Sequence, residues 1–434
     1  MDLQTTGEHV ERFSAYLGGL ASVIGPANRA GPLRDYCTGL LLPAERKSVE
    51  PMAALTAPSR AAAQHQSLLH FVGQGNWSDE AVLAKVRDVV LPKIETHGPI
   101  TAWIIDDTGF PKKGKHSVGV ARQYCGQIGK QDNCQVAVSL SIANEHASLP
   151  VAYRMYLPKS WIDDAARRDK AGVPADIQFK TKPEIALDQL KWACAAGVPR
   201  GVVLIDAGYG VNTDLRAEIT ALGLSYAVGV SPNATVWTDG VQALPPKPNK
   251  GRGRPAITPM RDEAHKPVTL DRLALDLPAE HWQTIRWREG TNTELRSRFA
   301  RVRVRAAHDL KTPTHQILEE WLVIEWPEDE DKPTKYWLST LDESTAFTDL
   351  IAAIKLRWRI ERDYLELKQE VGLGHYEGRG WRGFHHHATL CIAAYGFLVL
   401  EKAAFPPSET RRRLLRAQSP IPDDYRPRGS AVAS

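Results

Sequence analysis

Three carboxylates sit where they could hold metal ions together. Asp106 closes the apolar run Trp103-Ile104-Ile105, and Asp206 closes Val202-Val203-Leu204-Ile205. Glu361 lies in Lys355-Leu-Arg-Trp-Arg-Ile-Glu361-Arg-Asp-Tyr-Leu-Glu-Leu-Lys368, a segment of helical character. Oxygen ligands of this kind suit a hard cation such as Mg²⁺, which keeps several waters and needs few protein ligands. Two such ions about 3.5–4 Å apart stabilise both the attacking and the leaving oxygen when a phosphodiester is broken. Taken singly, either aspartate is equally explained as a carboxylate capping the turn after a strand. Two of them at strand ends plus a helical glutamate favour metal-assisted phosphoryl transfer. Arg357 lies four residues before Glu361 and Lys368 seven after, so the three share roughly one helical face, with the bases placed for phosphate. A solvated ion-pair helix would show the same spacing.

The elements that must position these groups follow from periodicity. Residues 1–95 read as helical throughout, with apolar spacing in Val10-Phe13-Leu17-Leu20 and Val82-Leu83-Val86-Val89-Val90 and a helix start at Ser78-Asp79-Glu80. From 96 to 230 the pattern becomes α/β: strands at Thr101–Asp106, Gln135–Ala143 and Leu149–Leu157, then a helix over Pro183–Ala195. The strand ending in Asp206, a helix near Thr213–Leu222 and a strand at Ser225–Val230 complete it. The order β-β-β-α-β-α-β is that of an RNase H-like fold. Residues 231–335 read as a β-rich insertion that opens on the loop Leu244-Pro-Pro-Lys-Pro-Asn-Lys-Gly-Arg-Gly-Arg-Pro255. It continues with strands at Gln283–Arg288, Arg298–Arg305 and Trp321–Trp326. The core resumes over 336–405 with Lys335–Thr340, one helix from about Ser344 that carries Glu361, and a buried helix spanning Gly383–Phe405; the basic stretch 406–434 reads as a flexible tail.

Composition limits the alternatives. The chain has 434 residues, 43% hydrophobic and 24% charged, which is ordinary for a soluble globular protein of two or three domains. A net charge of +4 is too small to demonstrate nucleic-acid binding, so that inference must rest on clustered bases. Cys37, Cys125, Cys134, Cys194 and Cys391 form no CxxC pair, which argues against a zinc site or a disulfide framework and for buried thiols in a reducing cytoplasm. The first residues lack a basic region followed by an apolar one, and the longest apolar run, Ala388–Leu400, is too short to cross a bilayer, so neither a signal peptide nor a membrane span is expected.

Four stretches together carry a family resemblance: Asp106-Asp107-Thr108-Gly-Phe-Pro-Lys-Lys-Gly114, Ser117-Val-Gly-Val-Ala-Arg-Gln-Tyr-Cys-Gly126, Asp206-Ala-Gly-Tyr-Gly210, and Arg357-Trp-Arg-Ile-Glu361 with Lys368. Over about residues 30–400 the chain resembles bacterial insertion-sequence transposases of the DDE superfamily, the cut-and-paste type with an RNase H-like core interrupted by a β insertion. In the related pattern Tyr-x2-Arg-x3-Glu-x6-Lys the tyrosine is replaced by Ile354. The resemblance implies Asp106, Asp206 and Glu361 as catalytic metal ligands for two Mg²⁺ ions, with Mn²⁺ able to substitute. Asp107 is the alternative first ligand; the pattern Asp-x-Thr and the position right after the apolar strand favour Asp106. It further implies that water attacks at the element end to free a 3′-OH, which attacks the opposite strand or target DNA. Trp337 matches a tryptophan that holds an unstacked base in relatives; it reads equally as a core or edge-strand residue. The implied partners are double-stranded DNA, as inverted-repeat ends and target, and a second copy of the chain in a DNA-bound homodimer. The implied location is the bacterial cytoplasm, at the nucleoid.

Further DNA-contacting residues follow from charge and spacing. Lys112, Lys113 and Lys115 follow Asp106 closely, and Arg122 lies in the second family stretch. Arg252 and Arg254 form an Arg-Gly-Arg of the kind that enters a narrow A·T minor groove, though a merely flexible loop would look alike. Arg301, Arg303 and Arg305 alternate with Val302 and Val304, as a phosphate track or a solvated face would. His385-His386-His387 point apart on a helix and cannot all chelate one ion, which leaves them structural or DNA-facing. Two other readings use the same carboxylates or ignore them: an RNase H-like nuclease without strand transfer, and a domesticated DNA-binding relic.

Overall fold

The computed structural model describes residues 3–238, 240–241, 244, 251, 262–289, 294–307 and 319–405. Arg252, Arg254 and the stretch 406–434 lie outside the described residues. Helices α1 (Leu3–Ala21), α2 (Ala30–Leu41), α3 (Val49–Thr56), α4 (Ala61–Gly73) and α5 (Asp79–Glu95) come first. Strands β1 (Ala102–Pro111), β2 (Ala121–Cys125), β3 (Lys130–Ala143) and β4 (Ser148–Tyr156) follow. Next are α6 (Lys159–Ile162), α7 (Ala165–Lys170), α8 (Lys182–Ala195), β5 (Val202–Ile205), α9 (Ala207–Gly210), α10 (Thr213–Ala221) and β6 (Tyr226–Val230). The chain continues through β7 (Thr235–Thr238), β8 (Val268–Thr269), α11 (Leu270–Asp276), β9 (Gln283–Glu289), β10 (Glu294–Ala306), β11 (Glu319–Trp326) and β12 (Lys335–Ser339). It closes with α12 (Phe347–Lys355), α13 (Trp358–Gln369) and α14 (Trp381–Ala404).

The twelve strands among the described residues belong to one mixed sheet, ordered β2-β3-β1-β5-β6-β12-β11-β10-β7-β8, with β4 on β3 and β9 on β10. The strands β1, β5 and β6 run parallel, and β3 and β4 are antiparallel to their neighbours. Strand alternation divides the apolar side chains between two faces. Trp103, Ile105, Val203 and Ile205 join the core built by α1–α5, α8, α10 and α14, whereas Ala102, Ile104 and Leu204 join the core built by α12 and α13. Strand β2 was not anticipated: Ala-Arg-Gln-Tyr-Cys shows no apolar alternation because it is a short edge strand paired with β3 alone. The single helix expected from Ser344 is two helices, broken at Leu356 and Arg357. Leu356 N–H donates to both Ala352 and Ala353, a tightened last turn that ends α12 and lets α13 set off afresh.

The expected helix start at Ser78 is present, its hydroxyl accepting from Ala81 N at 3.1 Å. Helix α14 is buried on nearly every side, as a helix apolar all round must be. At Gly396 it approaches α5 so closely that a Cβ would stand 2.9 Å from Val86 Cγ1. Among the described residues no helix is long and apolar enough to cross a membrane. The cysteines are free thiols, buried except for half-buried Cys194.

His385, His386 and His387 are structural. His385 Nε2 accepts from Met155 N at 3.3 Å, His386 stacks on Trp77 with centroids 3.6 Å apart, and His387 meets Tyr36 Oη at 2.9 Å and Gly372 O at 3.1 Å. Burial holds His387 down at about 4 against its ordinary 6.5. The unfolded chain therefore takes up this proton first as pH falls, so the stabilisation is complete above about 6.5 and is lost as pH drops through 4. Thermal melts are expected to show that loss, and His387→Gln to lower the melting temperature at pH 7 while flattening its decline in acid.

Candidate active site

Sheet register brings the two aspartates together. Strands β1 and β5 are paired in parallel up to Ile105↔Ile205, so Asp106 and Asp206 follow at equivalent positions on adjacent strands. Both continue the series Ala102, Ile104 and Val202, Leu204, and so emerge on the face covered by α12 and α13. Asp206 caps α9, its Oδ1 accepting from Gly208 N at 3.0 Å. The glycine two residues on is needed for close packing: a Cβ on Gly210 would stand 1.9 Å from Gly229 O on β6.

Asp107 faces the other way. Its Oδ2 accepts from Lys182 Nζ at 2.9 Å and from Tyr209 Oη at 2.9 Å. Lys182 is delivered by the first turn of α8, which Thr181 and Glu184 close with a reciprocal capping box.

The break before α13 sends Arg357 into the site. Its Nη2 donates to Asp106 Oδ2 at 2.7 Å and its Nη1 to Glu361 Oε1 at 3.0 Å. Burial works against this guanidinium's charge, yet Asp106, Asp206 and Glu361 together outweigh it and hold its pKa above the ordinary range. Three carboxylates from β1, the end of β5 and α13 thus converge on one positive charge. Burial also pushes Asp106 up to about 7, with Asp206 and Asp107 adding to the effect and Arg357 opposing it. Glu361 is 65% exposed at its side chain, open to solvent beyond the guanidinium.

Tyr364 and Lys368 complete the face of α13. The Tyr364 hydroxyl donates to Asp106 O at 3.0 Å and meets Ser139 Oγ at 2.8 Å, pinning the backbone of the aspartate. Lys368 Nζ donates to Gly109 O at 2.9 Å and to Gln127 Oε1 at 3.1 Å; burial pulls it down to about 8, against Cys125, Asp106 and Asp107. Tyr364, Lys182, Tyr209 and Gln127 escaped the sequence reading. Two of them leave a signal there: Tyr364 falls on the helical face shared by Arg357, Glu361 and Lys368, and Tyr209 lies within the family stretch Asp206–Gly210.

The other expected DNA-contacting residues lie outside this cluster. Lys112 is half-buried and donates to Tyr376 O at 2.8 Å, whereas Lys113, Lys115 and Arg122 are exposed along the β1–β2 connection and β2. Trp337 is half-buried on β12 opposite Gly229, with Lys355 Nζ 5.6 Å from its ring centre. Arg303 and Arg305 share Glu319, at 3.1 and 3.0 Å, and Arg301 and Arg303 both lie over Trp321.

The donors match a hard divalent cation in kind, all carboxylate oxygens, and they already gather around a cation. Among the described residues no three His, Cys, Asp or Glu side chains form a ready-made metal cluster; the Arg357 guanidinium stands between Asp106 and Glu361.

This geometry agrees with the chain's relationships. Residues 20–294 match the family described as DDE superfamily endonuclease, and the chain belongs to that family. The match includes Asp106 and Asp206 and ends before Glu361. Over 169 residues the chain is 30% identical to a Microchaete diplosiphon protein named probable transposase for insertion sequence element IS701. That stretch is 39% of this chain and 41% of the relative, so the chain spans about two fifths of the relative's length. The DDE-superfamily resemblance read from the sequence is borne out.

Proposed function

We propose that the protein is an insertion-sequence transposase that binds the double-stranded ends of its element and carries out metal-dependent strand cleavage and strand transfer. One observation carries this reading: carboxylates from three separated segments converge on a single half-buried positive charge at the ends of parallel strands. Asp106, Asp206 and Glu361 would hold Mg²⁺, whose contribution when bound is to stabilise charge on the attacking and leaving oxygens of a phosphodiester. Arg357 would exchange its carboxylate partners for a DNA phosphate, for which a guanidinium fork is suited. Lys368 and the exposed Lys113, Lys115 and Arg122 would hold the backbone on either side, and Lys112 would brace the loop that presents them. Tyr364 would fix Asp106, and Lys182 and Tyr209 would keep Asp107 out of the site.

The strand order β4-β3-β1-β5-β6, antiparallel then parallel, supports an RNase H-like core, and residues 231–335 would be a β-rich insertion in it. Residues 1–95 would recognise the element ends, and a DNA-bound homodimer would join two of them. Arg252 and Arg254 would add minor-groove contacts, and Trp337 would hold an unstacked base near Asp206.

The test is a labelled duplex carrying the DNA that borders the reading frame, incubated with Mg²⁺ and a supercoiled target. Cleavage at the border followed by joining to the target is the expected result. Cleavage without joining would leave a nuclease, and binding without cleavage a DNA-binding relic.

A further inference from the structure

The surface beside Lys368 carries apolar side chains that the phosphodiester reading leaves unused. The β2–β3 connection is a tight turn over Gly126–Ile128, closed by Gly129 in the left-handed region at φ 63°. Tyr124 is 55% exposed just before it and Ile128 38% exposed within it. Between them Gln127 accepts from Lys368, tying the turn to α13. On α13 itself Leu365 is 37% exposed, one turn after Glu361 and on the face that leads to Lys368. Exposed apolar residues scattered singly need no explanation. Here Tyr124 and Ile128 flank the glutamine that Lys368 holds, and Leu365 lies three residues before Lys368 on the same helix, which also bears Glu361. Charge on the turn is complementary to nucleic acid: Arg122 is exposed on the same strand face as Tyr124, and Lys130 stands exposed across the turn.

We propose that the β2–β3 turn and Leu365 form a ledge for the bases adjoining the cleaved phosphate, with Tyr124 stacking on one base and Ile128 wedging against the duplex. This rests on the reading of the site as a DNA phosphoryl-transfer centre. Aromatic faces take any base, and apolar wedges between base steps unstack a duplex locally. Phosphates held at Arg357 and Lys368 bring the neighbouring bases onto this turn. The ledge distorts the end without reading its sequence.

The border duplex, with 2-aminopurine at each base flanking the cleaved phosphate, tests this by fluorescence in Ca²⁺ and by cleavage in Mg²⁺. Wild type is expected to change the probe's fluorescence at one flanking position. Tyr124→Ala and Ile128→Ala should remove that change and weaken binding about tenfold, while Tyr124→Trp retains both. Their melting temperatures should equal that of wild type, since both side chains are exposed. If wild type cleaves and the double variant Tyr124→Ala, Ile128→Ala gives the same fluorescence and binding, the ledge is wrong and the phosphoryl-transfer reading stands. A wild-type protein that neither binds nor cleaves the duplex overturns both.

Discussion

Asp106→Asn is expected to lower Mg²⁺-dependent cleavage about a thousandfold, while Asp107→Asn leaves it within about tenfold of wild type. The two residues are adjacent but belong to opposite faces of β1. Asn at 106 still accepts from Arg357 and leaves the Tyr364 bond to the backbone carbonyl untouched, so the fold survives while the proposed ligand loses its charge. Asn at 107 weakens the contacts to Lys182 and Tyr209, a cost of about 1–3 kcal/mol in stability. Single-turnover cleavage and urea unfolding of both variants separate the two roles. Complete loss of cleavage in a stably folded Asp107→Asn protein would transfer the ligand role to Asp107.

The second large effect concerns stability. Arg216 on α10 and Glu320 on β11 are both buried, with Nε and Oε1 3.4 Å apart; Glu320 also accepts from Tyr226 Oη at 2.6 Å. Arg216 Nη1 reaches Gly210 O at 2.6 Å, at the end of the short helix that Asp206 caps. Arg216→Met would strand a carboxylate without its counter-charge and should cost about 3–5 kcal/mol. Adding Glu320→Leu should restore part of that loss, because the unpaired charge goes with it. Urea unfolding of the single and double variants measures both steps. A single-variant cost below about 1 kcal/mol would mean that water reaches the pair.

What was legible in the sequence was whatever leaves a periodic or terminal signature. Asp106 and Asp206 were visible because each ends an uninterrupted apolar run, the mark of a strand buried on both faces. Arg357, Glu361 and Lys368 were visible through helical spacing alone. Hidden from it were contacts made across the fold. Lys182 and Tyr209 find Asp107 from residues 75 and 102 positions away, and no local pattern announces such a meeting. The helix break at Leu356 was equally invisible, since neither Leu356 nor Arg357 disfavours a helix. Tertiary contacts to Asp106 accompany it. Strand β2 was missed for want of an apolar face. Its exposed side is where the proposed ledge lies.

The continuous sheet has a consequence for how the chain assembles. Strand β6 is flanked on one side by β5, made just before it, and on the other by β12; Tyr226 N–H donates to Thr340 Oγ1, 114 residues further on. During synthesis the edge of β6 stays unpaired until that later segment leaves the ribosome. The face of β1 and β5 that carries both aspartates stays uncovered until α12 and α13 follow. Long-range pairing of this kind is slow and leaves sticky edges exposed in the meantime. The site is therefore among the last parts of the protein to form, and a chain cut short before α13 has both aspartates but neither Glu361 nor the α13 residues that contact Asp106.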